Sequence, residues 1–257
     1  MPFVETRTGA RLHYEEHNPQ AGELPVVALH GMLGTVRKDL GELIDWLAGQ
    51  GLRVIGLTLR GYGESTPKPR DFPPRFYERD AEDVLAALGA LGIERAHLIG
   101  YSDGGEITLI CAGRAPQRFA SAAAWGAVGY FGPEMRPVAQ RMIPGSRWLT
   151  AEEMAPHGLT DADAFVAQWV RATIGMIDAG GDVSLSLAPQ IACPLLLMLG
   201  REDTLNPAAY AQHYLKRVAD GRLMLFDCGH PVHTQQPEAF QRALLEHLQR
   251  ASGTAKD

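Results

Sequence analysis

Apolar residues recur along the chain in short unbroken runs separated by longer amphipathic stretches. The runs fall at residues 25–29, 53–57, 97–100, 121–125, 194–199 and 223–226. They do not alternate strictly, which predicts parallel strands covered on both faces. Ahead of them, residues 3–15 around Thr8-Gly9 predict two short strands joined by a turn. Helical spacing fills the gaps: Val84, Leu85, Leu88 and Leu91; Ile107, Ile110 and Cys111; Tyr210, Tyr214 and Val218; Phe240, Leu244 and Leu248. Asn206-Pro207 reads as a cap followed by a first-turn proline, Pro237-Glu238 opens the last helix, and Pro116 closes an earlier one. Together these elements predict an α/β domain with a mostly parallel eight-stranded sheet and helices on both faces.

One stretch departs from that rhythm. Residues 128–189 contain no strand candidate but are rich in aromatics and methionine, among them Tyr130, Phe131, Met135, Trp148 and Trp169. They predict a helical lid inserted between two parts of a core, residues 1–127 and 190–257, and lying over the strand ends. The tail from Ala251 to Asp257 is expected to fray.

Composition narrows the classes of partner. The chain has 257 residues, 46% of them hydrophobic, and a formal charge of −6. An acidic chain of this kind lacks the cationic face that nucleic acid or an anionic membrane requires. Its longest uncharged stretch, residues 183–200, carries Pro189 and Pro194, unlike a membrane span. The first residues lack the apolar core of a secretion signal, so a cytoplasmic protein is expected, as a monomer or small homo-oligomer acting on a small molecule. Cys111, Cys193 and Cys228 have apolar neighbours and read as reduced core thiols. His230 and His233 have no third ligand beside them, so neither a metal nor another cofactor is expected.

The strongest chemical signal is Gly100-Tyr101-Ser102-Asp103-Gly104, which joins an apolar strand to an amphipathic helix. A serine on so sharp a strand–turn–helix junction presents its hydroxyl above the sheet edge. That hydroxyl needs a base, itself oriented by a carboxylate, to act as a nucleophile near neutral pH. Of nine histidines, His230 directly follows the last strand, with His233 as runner-up. His13, His17, His157, His213 and His247 read as surface or helix residues. Asp203 follows the strand at 194–199, with Glu202 as the alternative acid and Asp182 less well placed before that strand. The order Ser102, Asp203, His230 is that of an α/β-hydrolase triad. Backbone N–H groups of Met32, in His30-Gly31-Met32-Leu33-Gly34, and of Asp103 are candidates for an oxyanion hole. His30 reads as a structural side chain beneath that loop. The Asp103 carboxylate, in a first helical turn, has an alternative explanation in the helix dipole alone.

Several segments resemble the biphenyl-hydrolase-like serine hydrolases, the valacyclovir hydrolase family. They are His30-Gly31-Met32-Leu33-Gly34, Arg60-Gly61-Tyr62-Gly63-Glu64-Ser65, Arg70-Asp71-Phe72-Pro73-Pro74, Phe76-Tyr77-Glu78-Arg79-Asp80-Ala81, Ser102-Asp103-Gly104-Gly105 and Trp125-Gly126-Ala127. The similarity runs over residues 25–248 and is weakest in the lid. The hydrolase motifs are widespread, whereas Arg-Asp-Phe-Pro and Ser-Asp-Gly-Gly are much more restricted. The resemblance implies a serine hydrolase of α-amino-acid esters in which Asp103 holds the substrate's ammonium group. It also implies Gly31 and Trp125 as substrate-binding positions. Thr58-Leu59, where many relatives carry an Asp and another residue before Arg-Gly, is a departure.

Two other functions share these residues. A carbon–carbon bond or lactone hydrolase uses the same triad, although Asp103 disfavours anionic substrates. A ligand-binding receptor with a hydrolase shell has no use for the full set of Ser102, Asp203 and His230. Dehalogenase chemistry would use an aspartate where Ser102 stands.

Overall fold

The computed structural model describes residues 2–22 and 24–253. Its strands are β1 (Phe3–Glu5), β2 (Arg11–His17), β3 (Val26–Leu29), β4 (Val54–Leu57), β5 (Ala96–Tyr101), β6 (Phe119–Trp125), β7 (Leu195–Gly200) and β8 (Gly221–Phe226). They form one sheet in the order β1-β2-β4-β3-β5-β6-β7-β8. β1 and β2 are antiparallel to their neighbours, and all other pairs are parallel.

Helices α1 (Val36–Gly49), α2 (Phe76–Ala90) and α3 (Asp103–Arg114) link the first strands. Helices α4 (Met135–Gln140), α5 (Ala151–Met154) and α6 (Ala162–Asp178) lie between β6 and β7. The last are α7 (Ala208–Leu215), α8 (Val232–Gln235) and α9 (Pro237–Ser252). Helix α1 was not singled out by its spacing above, yet Leu40, Leu43, Ile44 and Leu47 form its buried stripe and the Thr35 hydroxyl accepts the Lys38 N–H at its start.

Alternation along the strands divides the core into two layers. Val27 and Leu29 of β3, with Leu195, Leu197 and Leu199 of β7, join one apolar cluster with α2 and α3. Val26 and Ala28, with Leu196 and Met198, face α1 and α9. Since β3 pairs with β4 on one side and β5 on the other, the connections after β3 and β5 leave in opposite directions. The crevice between those strand ends is a topological switch point, where open α/β sheets gather ligands.

Three local expectations change. β8 is an edge strand, and Arg222 and Met224 on one of its faces are exposed. Helix α7 stops at Leu215, and Val218 is buried from the loop beyond it. Ala251 and Ser252 complete the last turn of α9, while the rest of the expected frayed tail lies outside the described residues apart from Gly253. Between β6 and β7 the described residues form no named strand, only an isolated bridge between Tyr130 and Asp182. All three cysteines are unpaired and buried. Among the described residues, no helix is long and apolar enough to cross a membrane.

Candidate active site

Ser102 stands between β5 and α3 with φ 54° and ψ −119°, a conformation side chains rarely adopt. The turn closes because its N–H donates to Trp125 O at 2.8 Å and its carbonyl accepts the N–H groups of Gly105 and Glu106. Glycine is needed on both sides: a Cβ on Gly100 would run into Gly104 O, and one on Gly104 would meet Leu29 O at 2.5 Å. The elbow is strained locally and held by backbone that no side chain can displace.

His230, in the loop after β8, brings Nε2 to 3.0 Å from Ser102 Oγ. Its Nδ1 lies 2.8 Å from Asp203 Oδ2. Asp203, in the loop after β7, accepts the Leu205 and Asn206 N–H groups on Oδ1. Burial acts to raise its pKa, but the hydrogen bond and charge of His230, with Asn206 and the Leu205 amide, outweigh it and hold the carboxyl below its ordinary value. The structure thus brings the three sequence-selected residues into one hydrogen-bonded chain. Glu202 is exposed, and the exposed Asp182 carboxylate accepts the Ser186 N–H.

His233 serves a different face. Its Nδ1 accepts the Trp125 indole N–H at 3.0 Å, and its Nε2 donates to Asp39 O at 3.1 Å. Burial lowers its pKa to about 4. This arrangement corrects the placing of Trp125 against substrate. Two residues beyond Ala123 on β6, Trp125 points into the α9 layer, fully buried against Phe240 at 4.9 Å between ring centroids. Its carbonyl, not its indole, serves the elbow.

The loop after β3 lies against the nucleophile: a Cβ on Gly31 would be 3.1 Å from Ser102 Cβ. Neither the Met32 nor the Asp103 N–H has a protein acceptor among the described residues. The latter belongs to the first turn of α3, whose N–H groups have no partner within the helix. Asp39 Oδ2 accepts the Gly31 N–H at 3.1 Å, and its burial lifts the carboxyl to about 6. His30 lies beneath the loop, donating from Nδ1 to Gly31 O at 2.7 Å and accepting the Leu59 N–H on Nε2 at 2.9 Å. Burial depresses its pKa to about 3, so it is a neutral strut.

Two histidines expected at the surface or simply on helices are buried supports. His157 accepts the Gly63 N–H and donates to Leu33 O, tying the segment between β6 and β7 to the loop after β3. His247 donates to Ala122 O.

Beside the nucleophile, the Asp103 side chain is buried. Tyr77 Oη donates to its Oδ1 at 2.6 Å, while Oδ2 accepts no hydrogen bond from the described residues. The Trp169 indole N–H lowers the pKa of this carboxyl without reaching hydrogen-bonding geometry, and it too has no partner. Desolvation raises the pKa of Asp103, opposed by Tyr77 and by the positive charge of Arg70. Tyr77 also lines a cavity of about 730 Å³, together with Phe72, Ala172, Met176 and Val183.

The sequence carries no signal that places Asn206, Tyr77, Asp39 or Arg70 in the active site. Asn206 was expected to cap α7, but Pro207 occupies that position and the Asn206 amide turns to Asp203 instead. Tyr77 and Arg70 lie within the family-like segments, and only the fold shows what they touch.

A switch-point sheet carrying a serine elbow, a histidine after the last strand and an acid after the strand before it defines an α/β hydrolase. The chain belongs to the alpha/beta hydrolase family, whose model matches residues 26–243. It is 31% identical over 246 residues to the human serine hydrolase BPHL, covering 94% of this chain and 84% of that protein. It is also 27% identical to a 2-hydroxy-6-oxononadienedioate/2-hydroxy-6-oxononatrienedioate hydrolase of Paraburkholderia xenovorans, covering 96% of this chain and 94% of that one. The solved thermophilic esterase of Thermogutta terrifontis shares the fold with a TM-score of 0.72 at 24% identity, covering 97% of this chain and 98% of that one.

Proposed function

We propose that this hydrolase cleaves small carboxylic esters bearing a free α-amine, through an acyl-enzyme on Ser102. His230 Nε2 takes the Ser102 proton as Oγ attacks the ester carbonyl, and Asp203 holds the imidazole and supports its positive charge. The Met32 and Asp103 N–H groups receive the oxyanion beside Gly31. His230 then protonates the departing alcohol, and a water activated by the same imidazole releases the acid. No cofactor enters this sequence of steps.

The observation that carries the substrate class is Asp103 Oδ2, on the residue that follows the nucleophile, which is buried and accepts no hydrogen bond from the described residues. An unpaired buried carboxylate oxygen is costly, and a substrate ammonium supplies the missing charged donor. The test compares nitrophenyl esters with and without an α-amine. Asp103→Ala should erase the preference for the amine, because its backbone N–H survives while its carboxylate is lost. Equal losses on both esters would leave Asp103 a helix-terminal support. The similarity to a carbon–carbon bond hydrolase favours a second reading, ring-cleavage products as substrates, and turnover of such dianions in place of esters would establish it.

A further inference from the structure

Tyr77 occupies a position that the reaction above does not use. It lies in the first turn of α2 and is 3% exposed, its ring packed against Phe76 at 4.0 Å and Phe131 at 6.1 Å between centroids. Those contacts fix the ring, and the ring fixes the direction of the hydroxyl. The bond from Tyr77 Oη to Asp103 Oδ1 therefore joins two side chains with little freedom on either side. A carboxylate held by one oxygen cannot rotate without breaking that bond, so the other oxygen has a set direction. Among the described residues, Oδ2 is the one left without a donor.

A buried cation works against the desolvation that raises the Asp103 pKa. Arg70 is sealed within the protein, with Nη2 2.5 Å from Asp80 Oδ2 and Nη1 donating to Arg60 O at 3.2 Å. Its guanidinium lies over the rings of Tyr62, Phe72 and Phe76. Its charge favours ionised Asp103, while burial raises the Tyr77 pKa so far that the phenol stays a donor.

We propose that Tyr77 is a positioning residue for substrate selection, acting through Asp103: it occupies Oδ1 so that Oδ2 meets the substrate ammonium. This rests on the reading of Asp103 given above. Tyr77 touches no reacting atom, and its effect belongs to binding of the amine in ground and transition states alike. The motif segment from Arg70 to Tyr77 then has a common purpose, to hold the Asp103 carboxyl beside the nucleophile in one orientation.

Tyr77→Phe tests the idea, since it removes one hydroxyl and keeps the ring against Phe76 and the neighbouring cavity. For an α-amino ester, KM should rise and kcat/KM should fall by about 10-fold or more, the usual weight of a hydrogen bond to a charged group. For a neutral ester of matched size, kcat/KM should stay within about twofold, as expected when no charged contact is lost. In an Asp103→Ala background, Tyr77→Phe should have no further effect on the ratio of the two substrates. A second measurement avoids aminoacyl turnover: butylammonium should inhibit neutral-ester hydrolysis competitively, with Ki about 10-fold higher in Tyr77→Phe.

Equal losses on both esters, or an unchanged ratio and Ki, would overturn the role of Tyr77. If Asp103→Ala itself leaves the ratio unchanged, the reading of Asp103 fails first. If it collapses the ratio and Tyr77→Phe does not, only the positioning role falls.

Discussion

Asn206 donates from Nδ2 to Asp203 Oδ2 at 3.2 Å and to Gly126 O at 3.0 Å. One amide therefore ties the acid's carboxylate to the backbone just beyond β6. Two further bonds, from the Leu205 and Asn206 N–H groups, hold Oδ1, so the carboxylate is fixed at both oxygens before His230 is considered. Asn206→Ala should leave the acid held at Oδ1 by the two backbone N–H groups, but remove the side-chain bond that directs Oδ2 and ties it to the backbone beyond β6. We expect kcat to fall by about 10- to 150-fold, the range for a hydrogen bond to a charged group, with a small change in KM. Asp203→Asn should cost more, because it permits the wrong imidazole tautomer, and Glu202→Gln should be mild. Steady-state kinetics rank the three, and a Glu202→Gln loss exceeding that of Asp203→Asn would move the acid.

The two histidines near the elbow separate by stability and catalysis. Ser102→Ala and His230→Ala should each lower kcat by roughly four to six orders of magnitude and act non-additively, as members of one unit. His233→Ala should instead leave the Trp125 indole N–H buried and unpaired, costing about 1–3 kcal/mol of stability while turnover survives. Thermal unfolding and ester kinetics on the same preparations distinguish these outcomes. Greater catalytic loss in His233→Ala would reassign the base.

The elbow glycines make a third test. A methyl on Gly100 meets Gly104 O, which belongs to a helix that cannot retreat without moving β3. Gly100→Ala should cost at least the ~1–3 kcal/mol of core overpacking and reduce labelling of Ser102 by a fluorophosphonate probe. A variant as stable and as reactive as the parent would show that the elbow has slack which these contacts do not reveal.

How legible the site was from sequence depended on how local each signal is. The elbow is legible within residues 100–104, where the clash that demands Gly100 arises inside the turn, although the one that demands Gly104 comes from the end of β3. Asp203 and His230 were legible because each directly follows a strand, and parallel strands present those ends at one edge. Trp125 shows the limit of adjacency: its motif sits at the edge, but its side-chain direction depends on strand register. Asn206 shows another. Asn-Pro is a fair capping signal, yet the same amide gained more from a buried carboxylate than from a helix end. Arg70 and Tyr77 act on partners distant in sequence, so their side-chain roles emerged only with α2 docked on α3. In the 128–189 region, aromatic content announced packed helices, but not that His157 would pin that segment to the loop after β3.

Glu106 offers a prediction in pH. Fully buried on α3, it accepts the Val128 N–H on Oε1 and the Gly129 N–H on both oxygens, anchoring the chain as it leaves β6. Burial, opposed by those two amides and aided by the charge of Asp103, lifts its pKa from 4.5 to about 7. Between those values the folded protein keeps a proton that the unfolded chain has released. Its contribution to stability is therefore full below about pH 4.5 and is lost as pH rises through about 7. Asp39 acts in the same sense at lower pH, whereas the buried His30, His157, His233 and His247, with depressed pKa values, lose stability as pH falls. A melting curve of the native chain sums these opposing effects, so the difference from Glu106→Gln is the quantity to follow. Glutamine matches the protonated acid in shape, and its carbonyl oxygen can accept both N–H groups. The variant and parent should be equally stable near pH 4, and the variant should gain progressively to about 3 kcal/mol above pH 7. Urea unfolding at half-unit pH steps measures this directly. A difference that does not vary with pH would mean that Glu106 is relieved of its burial by some route other than holding a proton.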